Sequence, residues 1–339
     1  MVASNVTVYI ACTSVLYLKF LLATGVQGGK KFRSGGRPPE DASLGLAKTI
    51  GKGRKQTYGL DKTDDEKVLK AREAEHRWTR IVSNDLESIP FALFVFGGGI
   101  LAGSNPAVHA GAMTVYTAAR CLHTYVYAHA MQPHRAICWG VGVVSTLVGV
   151  GNAIAAILSL VEGSQPILTA RVHEHPIKLI DYVDEMVAGN VQMYVACSSI
   201  LYLKFLLVTF IQGPRAFKSG CRPPEDAKLP LAEGREQNYG LAETDDKATI
   251  KAREEVHRWE RIVANDLESI PFALFVFGGG VLSDSNATVH ASTLIIYTVS
   301  RCLHTYMYAN AIQPHRSNCW FVGVAATLVG VVNAVVAIA

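Results

Sequence analysis

Charge is what this chain has least of. Asp, Glu, Lys and Arg make up 18% of its 339 residues against 50% hydrophobic residues, which is too apolar for an average soluble domain. The two signs nearly cancel, and a net charge of +4 gives no reason to expect a nucleic-acid partner. Cysteine is poorly placed for a disulfide framework: most of the seven lie inside apolar runs and recur in both halves (Cys12 and Cys197, Cys121 and Cys302, Cys138 and Cys319). They read as reduced packing thiols. No metal, flavin or nicotinamide motif occurs in the sequence.

What the chain does have is apolar length. Eight runs of about 20 residues lie near 6–26, 80–101, 108–129, 137–160, 191–212, 261–282, 289–310 and 318–339, each long enough to cross a hydrocarbon core of about 30 Å. The first run lacks a basic leader and has a near-twin at 191, so a retained span is expected rather than a signal peptide. The fold class these runs predict is an all-α integral membrane protein.

The runs are written twice. NDLESIP stands at 84–90 and again at 265–271, LYLKFLLATGVQGGKKFRSGGRPPEDA is answered by LYLKFLLVTFIQGPRAFKSGCRPPEDA, and RCLHTYVYAHAMQPHRAICW by RCLHTYMYANAIQPHRSNCW. The chain is therefore a tandem duplication of a four-span unit, predicted as two four-helix transmembrane bundles at 1–161 and 191–339 joined by a polar linker at 162–190. An even number of spans returns the chain to its starting side, so both units point the same way. Lys30, Lys31, Arg33, Arg37, Lys48, Lys52, Arg54 and Lys55 crowd the first loop, which the positive-inside rule puts in the cytosol.

Polar residues inside the runs fall on faces. Arg77, Arg80, Asn84 and Glu87 are spaced 3, 4 and 3 apart and share one side of a helix, as do Arg258, Arg261, Asn265 and Glu268. Arg120, His123 and Tyr127 on the third span are matched by Arg301, His304 and Tyr308, with Arg135 and Arg316 just beyond. Ionisable groups in a span cost at least a few kcal/mol unless paired or wetted, and mark a functional site by default. The bland alternative is a packing pair between Glu87 and Arg120. Against it, four arginines and a histidine near each NDLESIP face one glutamate, which leaves cationic capacity for an anionic ligand.

The pattern R..R...NDLE.IP on the second span, RCLHT on the third, P.R after it and PEDA in the first loop resembles the MAPEG family, the membrane-associated proteins in eicosanoid and glutathione metabolism, above all its microsomal glutathione transferases and prostaglandin E synthases. The resemblance covers both units and leaves out only the linker. It implies a bundle working as a trimer, with glutathione between neighbouring units near the cytosolic face. On matching positions it implies glutathione contacts from Arg80, Asn84, Glu87, Arg120, His123 and Tyr127, from Arg261, Asn265, Glu268, Arg301, His304 and Tyr308, and from Arg77, Arg258 and Arg215. Arg135 and Arg316, the latter followed by Ser317, match the arginine that stabilises the thiolate in catalysis. The physics agrees, since a nearby cation favours the ionised, nucleophilic thiol. Two departures stand out. Ser83 and Ala264 replace the arginine that the prostaglandin synthase has before its Asn, which leans toward a general transferase; and copy one has Lys30 and Ala136 where copy two has Arg215 and Ser317.

The resulting expectation is a membrane glutathione transferase or peroxidase acting on lipophilic electrophiles or lipid hydroperoxides. The substrate would arrive through the bilayer, in the endoplasmic reticulum or alternatively a mitochondrial membrane. Further MAPEG-like units, of this chain or a single-unit relative, would complete a three-unit ring. Rival readings are a glutathione-dependent prostaglandin or leukotriene synthase and a non-catalytic structural subunit. Gly97 to Gly99 and Gly278 to Gly280 are expected to allow close helix contact, Pro90 and Pro271 to bend or start their spans, and Lys19 and Lys204 to snorkel. His173 and His175 with Asp181, Asp184 and Glu185 lack a fixed ligand spacing, and no metal is expected there.

Overall fold

The computed structural model of the chain describes residues 4–37, 39–59, 61, 63–171, 179–242, 244–312 and 314–339, and the side chains of these except at 4, 40, 160–171 and 179–188. Among the described residues there is no strand. The helices are α1 (Ser4–Ser34), α2 (Gly45–Thr49), α3 (Glu66–Leu101), α4 (Pro106–Ala128), α5 (His134–Arg171), α6 (Leu179–Lys218), α7 (Lys247–Leu282), α8 (Ala287–Ala309) and α9 (His315–Ile338). Asp65 accepts a hydrogen bond from the Lys67 amide at the start of α3, Asp246 does the same for Ala248 and Thr249 at α7, and Asn105 and Asn286 cap α4 and α8.

Five stretches are long and apolar enough to cross a membrane: Asn5–Ser34, His134–Ser159, Gly189–Lys218, Lys247–Leu282 and His315–Ile338. Each of the eight predicted runs falls on one helix, to within a residue at its end, but several helices extend well past them. α3 begins at Glu66 rather than near 80, and at about 1.5 Å per residue its 36 residues reach roughly 54 Å, well beyond a hydrocarbon core. The extra turns are polar. α5 and α6 likewise run into the stretch read as linker, where His173 and His175 lie outside the described residues, as do the side chains of Asp181, Asp184 and Glu185. Pro90 and Pro271 sit inside α3 and α7 and start neither.

α1, α3, α4 and α5 pack together as one bundle and α6, α7, α8 and α9 as a second. The bundles meet where α6 lies against α3 and α5. One apolar core runs through the junction, with the Phe91 and Phe205 rings stacked at 4.2 Å between centroids. Burying each ring contributes roughly 1.5–3 kcal/mol. Gly98 is part of the fit, since a Cβ there would stand 3.3 Å from Val195 Cγ2 of α6. Outward faces remain apolar, as at Phe321, Val332 and Val336 of α9, and suit lipid rather than water.

Candidate functional site between the two units

The first polar feature is behind the site. Asp85 is fully buried on α3 and joins Arg120 of α4 (Nη2 to Oδ1, 2.6 Å) and Lys19 of α1; Asp266 repeats the arrangement with Arg301 (2.6 Å) and Lys204. Each carboxylate ties three helices of its bundle together. Two expectations change here. The partner of Arg120 is Asp85, not Glu87, because Asp85 sits one residue, and about 100° of helix, round from the stripe and faces α1 and α4. Lys19 and Lys204 do not snorkel: a buried carboxylate within reach offers more than the longer route to the interface.

The first loop of the second unit builds the opposite wall. Gln237 donates from Nε2 to the Phe217 carbonyl at 3.0 Å and accepts at Oε1 from the Arg222 amide at 3.2 Å, which pins the loop to the end of α6. Gly220 turns the chain there with φ of +75°, a conformation that side chains disfavour. The PEDA segment that follows forms a 3-10 turn, Pro224–Lys228, and Arg222 Nε reaches Asp226 Oδ2 at 2.8 Å. This turn docks on the first unit. Arg77 Nη1 is 2.6 Å and Arg135 Nη1 3.2 Å from Glu225 Oε1, Arg135 also bonds Asp226, and Gln132 Nε2 donates to Asp226 at 2.8 Å. Nearby, Arg80 Nη2 lies 3.0 Å from Glu260 Oε1 of α7. His76 and Tyr239 stack across the same seam at 6.0 Å; burial pushes the histidine's pKa down and the phenol's up, so both are neutral near pH 7.

Between these walls lies a cavity of about 380 Å³. Its first-unit wall carries Arg80, Asn84, Glu87, His123, Tyr127 and Arg135. The second unit supplies the end of α6 and its loop, including Phe210, Phe217 and Arg222, together with Glu260. Arg135 stacks over Tyr127 with its guanidinium carbon 4.3 Å from the ring centre. His123 is only 2% exposed, and its Nδ1 has no partner among the described residues. Trp139 and Phe210 meet edge to face at 5.3 Å on the apolar side. Both units bring polar and apolar side chains to the lining.

Six of the predicted copy-one residues thus line one cavity, while Arg120 stands behind it on Asp85 and Arg77 at its rim on Glu225. The copy-two stripe does not converge on it. Arg258, Arg261 and Glu268 are exposed and none of the copy-two stripe lines the cavity, with Asn265, Tyr308, Arg316 and Ser317 half-buried and Arg301 and His304 buried. Arg215 points away from the cavity, pairing with Glu255 at 2.6 Å over the Trp259 ring. The inferred arginine excess is also smaller than expected: Asp85, Glu225, Asp226 and Glu260 partner all four copy-one arginines. Three of these carboxylates come from the other unit, so one unit's sequence could not place them. The repeated PEDA and the Asp of NDLE were the available signals.

Two helical bundles in one chain, apolar outside and enclosing a cavity where they meet, define an integral membrane protein. The chain belongs to the MAPEG family, whose model matches residues 6–155 and 194–336, one stretch in each unit. The duplication read from the sequence is thereby a duplication of MAPEG units. No curated protein and no solved structure matches the chain. Membership places it among membrane proteins whose activities are of the glutathione transferase and eicosanoid synthase type.

Proposed function

We propose that the chain, with all eight runs spanning the membrane, is a glutathione transferase or peroxidase acting on lipophilic electrophiles or lipid hydroperoxides. The observation that carries the reading is the cavity between the units, whose volume lies within the roughly 300–1,000 Å³ common for small-molecule sites. Its donor set fits a zwitterionic tripeptide. Arg80, Arg135 and Arg222 can take carboxylates, Asn84 and Tyr127 offer neutral polar contacts, and the unpaired Nδ1 of the buried His123 needs a partner that a polar ligand would supply.

Glutathione, when bound, supplies the thiol that becomes the nucleophile. Arg135 is the residue assigned to hold that sulfur ionised, because a guanidinium never gives up its charge and here keeps its place over Tyr127. Trp139 and Phe210 line the side on which a lipophilic second substrate would enter from the bilayer.

Calorimetric titration of glutathione into the purified protein in mild detergent tests the reading, with saturable binding expected. Arg135→Ala should abolish transferase activity at every site built on the first unit's stripe and leave affinity there within about tenfold, since its charge acts on the thiolate more than on the tripeptide's carboxylates. Absence of binding would instead favour a structural subunit, a reading supported by the carboxylates that already partner the stripe arginines. Ser83 and Ala264 count against the eicosanoid synthase alternative. Turnover of a prostaglandin endoperoxide or leukotriene precursor faster than of a general electrophile would reverse that preference.

A further inference from the structure

Glu260 has no counterpart in the other repeat. The position that matches it, immediately before Arg80, is Thr79, so the second unit alone brings a carboxylate to this level of the seam. There it lines the cavity beside Glu87. Its single ion pair within hydrogen-bond length uses one oxygen, toward Arg80 at 3.0 Å; the other lies 3.7 Å from His257 Nδ1, too far for a hydrogen bond. No hydrogen bond or ion pair reaches Glu87 from any described residue. Two carboxylates with acceptor capacity to spare therefore face one cavity, next to the buried, unpartnered Nδ1 of His123.

A ligand carrying only negative charge would be poorly served by that arrangement. Arg80, Arg135 and Arg222 on the lining would attract it while Glu260 repelled it. A ligand with both carboxylates and an ammonium group meets complementary charge throughout. We infer that Glu260 brings to the cavity, from the second unit, a carboxylate for a ligand's ammonium group, which on the glutathione reading proposed above is the amino terminus of the γ-glutamyl residue. Glu260 is then a specificity-determining residue particular to the seam between these two units. A site using the matching wall of the first unit would present Thr79 instead and lack that carboxylate.

The test is calorimetric titration of the full-length protein, and of Glu260→Gln and Glu260→Asp, with glutathione and with its des-amino analogue, glutaryl-cysteinylglycine. The wild type is expected to bind glutathione more tightly than the analogue. Glu260→Gln should weaken glutathione by about tenfold, the scale of one charge-assisted hydrogen bond at a partly exposed site, while the analogue binds as well as before or better. Retained analogue binding also shows that the variant is folded, and Glu260→Asp should keep most of the preference. Equal wild-type affinity for the two ligands would overturn the subsite and leave the glutathione reading standing. So would a Glu260→Gln effect of the same size on both ligands, which marks Glu260 as a brace for Arg80 and no more. If the wild type binds neither ligand, the glutathione reading itself falls and the subsite with it.

Discussion

Asp85 and Glu87 are two residues apart on one helix and have different neighbours. The 3-4-3 spacing made the stripe legible, including Glu87, because residues that share a helix face can be counted without knowing what they face. Asp85 was not legible by that route. Its partners come from α1 and α4, and only the rule that a charge in a span needs a counter-charge pointed to it. The same rule sets its expected energetic role. Asp85→Asn would leave Lys19 and Arg120 buried beside each other without a counter-charge, at a cost of about 3–5 kcal/mol, read as a large fall in the thermal midpoint in detergent. Adding Lys19→Met to that variant should restore part of the loss by removing one stranded cation. A midpoint unmoved by Asp85→Asn would show that the triad is not part of what holds the first bundle together.

At the scale of elements, the helices themselves were the most legible part, since apolar length and the Asp and Asn caps are local. What each helix packs against is non-local. α6 was expected as the first span of the second unit, and it is also the helix that holds the two bundles together, filling the groove between α3 and α5. Phe205→Ala would leave a void opposite Phe91 in the shared core, at a cost of about 3–5 kcal/mol. Because the same helix ends in the cavity wall, glutathione affinity should fall along with the thermal midpoint. A variant that lost stability while keeping full affinity would separate the seam from the site. Within the first bundle, Gly149 lets α5 approach α3 so closely that a Cβ would stand 2.9 Å from Phe96 Cε1. Phe96 is fully buried and has little room to give, so Gly149→Ala should cost about 1–3 kcal/mol, checked by the same thermal melt.

For the whole molecule, the seam between the units sets a rule for what else must assemble. The cavity takes its stripe from the first unit and its first loop from the second, so a complete lining belongs to a pair of units and to neither copy alone. The unused halves keep the same shapes. Arg37 Nε holds Asp41 at 3.0 Å as Arg222 holds Asp226, and Gln56 pins the first loop of unit one as Gln237 pins the other. On the exposed stripe, Arg316 stacks over Tyr308 at 4.3 Å, the distance of Arg135 over Tyr127, and Asn265 donates to the Arg261 carbonyl as Asn84 does to that of Arg80. Our proposal is that these two faces are met by further MAPEG units, so that a functional particle holds a multiple of three. A heterologous contact of this kind must either close or extend without limit. Native mass spectrometry in mild detergent should then show three chains together, or one chain with a partner of about half its mass. Kinetics supply the independent arm. In a completed ring, Glu268→Ala and Arg316→Ala each impair a working site, and activity falls for them as it does for Glu87→Ala and Arg135→Ala. In a chain working alone, the first pair is silent and the second pair removes all activity. A fully active single chain with a silent Arg316→Ala would sink the ring and leave the seam between the two units as the protein's one site.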